Sequence, residues 1–500
     1  MLKHLPVQKY NGLTVVLSQP SRRDTDYLIS GYAGIMFEEF LQENNTSRFA
    51  CDIRLAEDRS PLLSDTKGIL LLGDKALKDW CPKYSDYTIN EVRGTPLDNP
   101  FDLPVICSYT PQDACDLQDF EGKFNPHLSI EDDDAEKIDD SGEDSKRRGG
   151  FTQRKNFRFW LNRDVNKILY RISNKPIFDT SKYEIRIYPR ADEIISAFKG
   201  RVGEYLYFDI ETDSERNITV IGFSFSSSNT IYSFPVFDYN YSLYYGNDLY
   251  RILHFLCVAL RDNTVVIHNS MFDLFVLLFK YRLLIGKKVY DTMLAQHRIF
   301  PGVEKSLGHG LSCYPQIWLP YHKDEAIFEP KNHNQERTLL YYNAKDIVAL
   351  RVLKEAQDME CCYDPGLIAS IAQANSMPYP FLLNTLKGIR VDKEEIEAQL
   401  ATNARLLDQL LRVCRILTGD KVNLLPSSSP SCVKYFHEML GYPVVGKSKK
   451  TGEVSLDETN LIKLKQKNPM NILIDICIKY RGLKKFSGSL KAQPLGGWHE

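Results

Sequence analysis

Four carboxylates and a phenol lie in three short runs of this chain, and such a set can hold two metal ions and hydrolyse a phosphodiester. The first run, 204–213 (EYLYFDIETD), is aromatic and apolar and then abruptly acidic. It reads as a buried strand ending in charge. Strand side chains alternate faces, so Asp209 and Glu211 point the same way. Two neighbouring carboxylates repel unless a cation joins them, and a hard divalent ion such as Mg2+ or Mn2+ suits oxygen donors. Read alone, the run is also a plain strand entering an acidic turn. The second run, 263–278 (NTVVIHNSMFDLFVLL), is a β-branched strand followed by a helix start. Asn269 or Ser270 can cap that helix, and Asp273 falls in its first turn, where an acid is also ordinary dipole chemistry. The third run, 335–350 (QERTLLYYNAKDIVAL), has helical periodicity without Gly or Pro. It puts Tyr342 and Asp346 one turn apart on one face.

These elements must therefore position the chemistry: a strand end, a helix start and a helix face. Asp-x-Glu, Asn-x-x-x-Asp and Tyr-x-x-x-Asp in that order resemble the DEDD-y exonuclease superfamily, and more closely the proofreading domain of family A DNA polymerases. Asp291-Thr292 followed by Ser306-Leu307 extends the resemblance, which covers roughly 180–358. Gly308-His309-Gly310 departs from it, where a more regular helix is expected. The resemblance implies a ribonuclease H-like fold, a mixed central sheet with helices. It implies two divalent ions, Mg2+ or Mn2+, held by Asp209, Glu211, Asp273 and Asp346, with Tyr342 orienting the attacking water. The product would be a 5′-nucleotide released from a 3′ end. Asn269 and Phe272 would contact the nucleic acid.

The 500 residues suffice for two to four domains, and 43% apolar with 26% charged residues is an ordinary globular composition. The eleven cysteines form no Cys-x-x-Cys pair, which argues for reduced thiols and an intracellular protein. No apolar run approaches the roughly 18 residues of a membrane span, and no signal core opens the chain. The net charge of −2 announces no nucleic-acid binder, but the charge is uneven. Beyond about 445, lysines such as Lys463, Lys479, Lys484 and Lys485 and Arg481 greatly outnumber acids, which suits a phosphate backbone as well as a solvated surface.

Residues 129–150 are acidic and low in complexity, a flexible linker. Before it, 1–128 alternates strand and helix, the pattern of an α/β sandwich with a parallel sheet. The loop 18–21 with its proline, the strand-helix 71–76, Arg93-Gly94 and Tyr109-Thr110-Pro111 are similar to the uracil-DNA glycosylase superfamily. An active member would carry a His where Thr110 stands, and Asp24 is the nearest candidate for activating water, so the glycosylase chemistry is expected to be lost. The connector 151–200 begins with interleaved aromatics and arginines, Phe157, Arg158, Phe159, Trp160 and Arg163. These suit single-strand stacking or a helix packing edge alike.

From 359 to 500 the pattern is helical, with a long amphipathic stretch over 396–417. Met377-Pro378, the turn 387–392 (KGIRVD), Tyr435-Phe436 and 440–443 (LGYP) resemble the lead-in and thumb of family A polymerases, which grip duplex DNA through phosphates. Arg481, Lys484 and Lys485 would then face DNA. The palm and finger motifs of that family do not occur in the sequence. A separate palm-and-fingers polypeptide is therefore expected as partner, in the manner of a bacteriophage replication protein. The alternatives are a stand-alone ribonuclease D-type exonuclease acting on RNA and a non-catalytic DNA-binding subunit.

Overall fold

The computed structural model describes residues 7–115 save 8, 21–23, 25–27 and 30; residues 157–388 save 284, 287 and 322–327; and residues 390–491 save 420–423 and 447–452. The linker expected over 129–150 lies outside the described residues, as does the His322-Lys323-Asp324-Glu325 run. Two compact units divide the chain, Met1–Leu386 and Lys387–Glu500.

The first unit holds two sheets. In the first, β1 (Leu13–Leu17), β2 (Asp52–Leu55), β3 (Gly68–Leu72) and β4 (Val105–Ser108) run parallel in the order β2-β1-β3-β4. The apolar runs of β1, β3 and β4 are buried throughout, as a parallel sheet covered on both faces requires. Sequence patterning finds these three but not β2, whose polar Asp52 and Arg54 pair with each other. Three helices follow strands or turns: α1 (Tyr32–Gln42), α2 (Asp74–Trp80) and the single turn α3 (Ile89–Val92); α4 (Pro111–Cys115) follows β4.

Helix α5 (Phe157–Ile172) leads to the second sheet. Its strands are β5 (Glu184–Ile187), β6 (Tyr205–Thr212), β7 (Ile218–Phe225), β8 (Thr230–Pro235), β9 (Thr264–Ile267) and β10 (Val289–Asp291). Their order is β10-β9-β6-β7-β8-β5, with β7 antiparallel to both neighbours and the other pairings parallel. Helices α6 (Ala191–Phe198) and α7 (Asp248–Asp262) cover one face; the long α11 (His333–Cys361) crosses β5 to β8 on the other. Between them come α8 (Ser270–Phe275), α9 (Thr292–Ile299) and α10 (Leu307–Ser312). This mixed sheet with helices on both faces is ribonuclease H-like, as the resemblance implied. The Gly308-His309-Gly310 segment is helical after all: it lies in α10, capped by Ser306 Oγ.

Two boundaries differ from the expected ones. A single apolar cluster joins Trp80, Val92 and Trp160 to Leu311, Ile347 and Leu353, so the 1–128 region and the second sheet's layer share a core. The unit also extends past 358, because α12 (Pro365–Asn375) packs on α9 and β10, and Leu382 of α13 (Pro378–Lys387) is buried in the core beside α7. The basic-aromatic start of α5 is a packing edge rather than a stacking platform. Trp160 is fully buried, Phe157 packs on Tyr109, and Arg163 lies over Phe159 and Phe300.

The second unit is helical. Helix α14 (Lys393–Thr418) starts at an Asp392 cap and ends at Gly419, whose φ of 66° suits only a residue tolerant of the left-handed region. It packs against α17 (Ile472–Lys491), with α15 (Ser429–Val433) and α16 (Glu458–Lys467) closing a core around Cys432, Phe436, Leu461 and Cys477. The ten described cysteines are free thiols. Among the described residues, no helix is long and apolar enough to cross a membrane.

Candidate metal centre

Strand β6 alternates as its sequence requires. Leu206, Phe208 and Ile210 enter the core beneath α6 and α7, while Tyr207 joins the core on the α11 side. Asp209 and Glu211 continue the Tyr207 row, so both face α11. The pairing with β7 shifts between Glu211 and Thr212, ending the strand as it reaches the cleft. Asp213, one step on, is a turn residue: its carboxylate accepts the N–H groups of Glu215 and Asn217. The ligand oxygens of Asp209, Glu211 and Asp346 lie within 4.8 Å of one another.

Asp273 reaches the same cleft from α8. Asn269 precedes that helix with a φ of 61°, a left-handed turn that asparagine tolerates better than other non-glycine residues. Asp291 holds the turn from the next strand. Its carboxylate accepts the N–H groups of Asn269 (3.1 Å) and Ser270 (2.7 Å) and also caps α9 through Met293 and Leu294. The Asp-Thr pair is thus a brace. Thr292 Oγ1 sits 2.9 Å from His268 Nδ1, and burial pushes that imidazole below its ordinary range. Phe272 stands half out of the cleft wall, 40% exposed.

Helix α11 supplies three groups. Asn343 donates to Asp209 Oδ2 (2.8 Å) and accepts from Ser233 Oγ (2.8 Å). A side chain at Gly222, which faces Asp209 across the β6–β7 ladder, would collide with Asn343. Asp346 accepts from the Tyr321 hydroxyl (2.7 Å), and Tyr321 is also hydrogen-bonded to Tyr342. Burial first, then the charge of Asp346, holds the Tyr342 phenol above its ordinary range. Asn343, Gly222 and Tyr321 escape a reading of the sequence. Their partners are far along the chain, and only a strand glycine in an otherwise bulky run hinted at a close approach.

The electrostatics are unfavourable as they stand. Burial, then the charges of Glu211, Asp346 and Asp273, push the Asp209 carboxyl well above the usual carboxylate range, with the Asn343 bond opposing. Burial does the same to Asp273, against backbone hydrogen bonds at Asp273 and Ile210. All four acids, Tyr342, Asn269 and Phe272 line one cleft of about 840 Å3.

No family model matches the chain, and no curated protein does. Solved structures do. The chain is similar to the POL domain of Pol1 from M. smegmatis in complex with DNA primer-template and dNTP, at 14% identity over 62% of this chain and 49% of that one, with a TM-score of 0.41. It is similar to Trypanosoma brucei RNase D in complex with RNA U12, at 12% identity over 41% of this chain and 72% of that one, TM-score 0.31. Brucella melitensis NrnC bound to pGG matches at 18% identity over 42% of this chain and 98% of that one, TM-score 0.31. The chain spans about half the length of the Pol1 structure.

The remaining expected contacts lie in the second unit. Lys484 and Lys485 are exposed on α17. Arg481 is not available to a phosphate. Its guanidinium donates to Pro426 O (2.7 Å), Leu456 O (2.6 Å) and Cys432 Sγ, tying α17 to the loops around α15. A guanidinium fork fills up on unpaired loop carbonyls wherever it is half-buried beside them. In the first unit, Asp24 likewise serves the backbone, accepting from Ile29 and Gly31.

Proposed function

We propose that this chain is a metal-dependent 3′–5′ exonuclease that removes 5′-nucleotides from DNA 3′ ends. The observation that carries the reading is the convergence of Asp209, Glu211 and Asp346 within 4.8 Å, with Asp273 in the same cleft. An all-oxygen donor set, part of it pushed toward neutrality by burial and then by mutual repulsion, suits hard divalent cations. Asp209, Glu211, Asp273 and Asp346 would hold two such ions, Mg2+ or Mn2+. When bound, these would lower the pKa of coordinated water and offset the charge of the phosphate under attack. The protein groups do the positioning. Asn343 fixes the Asp209 carboxylate, and Tyr321 fixes Asp346. The Tyr342 phenol stays protonated at neutral pH and so can donate to, and orient, the attacking water. Phe272, beside Asp273, offers a ring on which a terminal base can stack.

The test is stepwise shortening of a 5′-labelled single-stranded DNA oligonucleotide by the purified chain in Mg2+ and in Mn2+, beside the Asp209→Ala/Glu211→Ala variant. Shortening by the wild type alone supports the reading. Shortening by both would trace the activity to a contaminant, and shortening by neither would defeat the proposal. A parallel RNA oligonucleotide decides between deoxyribose and ribose. We further propose that the second unit grips duplex DNA through Lys484 and Lys485 on behalf of a separate palm-and-fingers polypeptide. Loss of duplex binding in Lys484→Glu/Lys485→Glu, without loss of single-strand hydrolysis, is the expected outcome.

A further inference from the structure

The sheet edge that bears the acids also bears a surface outside the cleft. Ile187, Ser233, Gly222 and Asp209 lie in register across β5, β8, β7 and β6, and Pro235 is level with Val220 and Glu211. The segments that leave β5 at Tyr188 and β8 at Val236 therefore leave the sheet at the end where Asp209 and Glu211 stand. We propose that these segments and the outer face of α11 form a track for single-stranded nucleic acid, holding the strand on the 5′ side of the end that lies at the carboxylates. The inference rests on the nuclease reading of those carboxylates.

Three observations carry it. The first is exposed aromatic surface. Tyr239, Tyr241 and Tyr244, between β8 and α7, and Tyr341 of α11 are 37 to 62% exposed. Exposed His333, at the start of α11, stacks on Tyr188 with centroids 5.3 Å apart, and Tyr188 packs on Tyr244 at 5.6 Å. Apolar surface gathered in water marks an interaction site, and free rings are platforms on which bases stack whatever their sequence. The second is charge. His333, Arg337, Tyr341 and Lys345 stand four residues apart and all are exposed, so rings and cations alternate along one gently winding stripe of α11. Tyr342 and Asp346 are the residues next to Tyr341 and Lys345. Arg337 lies over the Tyr341 ring at 5.7 Å, and among the described residues neither Arg337 nor Lys345 has a carboxylate partner. From 329 to 345 the exposed charges are Lys331, Arg337 and Lys345 against Glu329 alone. At the starts of α6 and α7, Asp192, Glu193 and Asp248 are each paired with an arginine.

The third is anchorage. Buried Glu336 accepts the Tyr188 hydroxyl (2.6 Å) and the Tyr239 N–H (2.7 Å), so both segments are tied to the helix that carries Tyr342 and Asp346. Tyr188 and Tyr241 hold φ values of 53° and 60°, a left-handed conformation that strains a ring-bearing residue. Asparagine or glycine would fit either position with less strain, so the rings stand there at a cost to folding. A protein partner could also cover exposed rings, but the alternation of ring and cation fits nucleic acid better: bases meet His333 and Tyr341, and phosphates meet Arg337 and Lys345. At 1.5 Å per residue the stripe is about 18 Å long, enough for about five stacked nucleotides at 3.4 Å each.

The full-length chain tests this with two 5′-fluorescein single-stranded DNAs, a dodecamer that can follow the track and a trinucleotide that fills the cleft alone. Dodecamer binding is read by anisotropy in Ca2+ over a salt series, and KM and kcat for both strands by hydrolysis in Mg2+. Tyr241→Asn/Tyr341→Ser, in which asparagine keeps the left-handed turn, should weaken dodecamer binding and raise its KM about tenfold. Its kcat should stay within a factor of about two, and the trinucleotide KM should not move. Arg337→Gln/Lys345→Gln should weaken dodecamer binding about fivefold and flatten the slope of log affinity against log salt by about 1.4, or about 0.7 for each lost phosphate contact. Wild-type affinity and salt slope in both variants would overturn the track, leaving the nuclease intact and the surface to a protein partner. Equal losses on the dodecamer and the trinucleotide would also overturn it, since they would trace to a disturbed Tyr342 and Asp346 on the same helix. A wild type that binds the dodecamer through these residues but hydrolyses neither strand would keep the track and remove the nuclease reading instead.

Discussion

The two sheets of the first unit end in opposite ways. At the carboxyl ends of the N-terminal parallel strands, where α/β sheets commonly place ligands, the polar groups are consumed internally. Ser18 Oγ accepts the Ala76 N–H, Thr110 and Asp113 cap each other, and a side chain at Gly73 would strike Ser18. At the end of β6 the reverse holds: like charges are gathered, with Asn343 donating to Asp209 and Tyr321 to Asp346. One sheet end is relaxed and closed, while the other keeps a repulsion that folding alone would discard. A cluster that costs stability and persists is a stronger sign of chemistry than any motif of turn residues.

The largest way to sharpen this contrast is to remove the acids. Asp209→Ala/Glu211→Ala should lower hydrolysis by about a thousandfold or more, yet raise the thermal midpoint of the metal-free protein because repulsion is relieved. A fall in midpoint would break the comparison. Next, Arg93→Met should destabilise the first unit by about 3–5 kcal/mol, since it strands Asp164, its buried partner; Arg93→Met/Asp164→Leu should recover most of that in urea unfolding. Third, Gly222→Ala should cost about 1–3 kcal/mol and slow hydrolysis, because the methyl displaces Asn343 from Asp209.

The pH dependence follows from Asp209 and Asp273, whose folded-state pKa values are raised. Their protonated forms are favoured by folding, so this contribution is complete below the ordinary carboxylate pKa and is lost as pH rises through the raised values. Divalent ions should therefore stabilise the protein more at pH 8 than at pH 5, as the Mg2+-induced shift in thermal midpoint would report. A shift independent of pH would remove these acids from the metal site. The smallest effect is on the closed sheet: Ser18→Ala should cost about 1 kcal/mol as a lost cap and leave hydrolysis unchanged.

The sequence made the strand-end acids legible because alternation in β6 is a local property, and the same holds for the apolar runs of β1, β3 and β4. Asp273 and the Tyr342–Asp346 pair were legible for the same reason, each lying within one helical turn of its signal. What stayed hidden were contacts between distant segments. Asn343 meets Asp209, Tyr321 meets Asp346, and Arg93 meets Asp164 and Ser312 only once the chain has folded. The side chain of Arg481 misleads in the same way, and the start of α5 leaves two readings open of which the fold takes the packing edge. Composition gives a residue's capacity to stack or bind phosphate, but whether that capacity is spent on the protein itself is decided by neighbours far along the chain.

The shared core of the first unit also sets an order for synthesis. Trp80 and Val92 complete their apolar surroundings only when Ile347 and Leu353 of α11 arrive. At about 5–20 residues per second, the ribosome needs roughly 15–55 s to supply that stretch. During that interval the part of the cluster that Trp80 and Val92 contribute lacks the part that α11 brings, and a nascent chain in this condition is a natural client for holding chaperones.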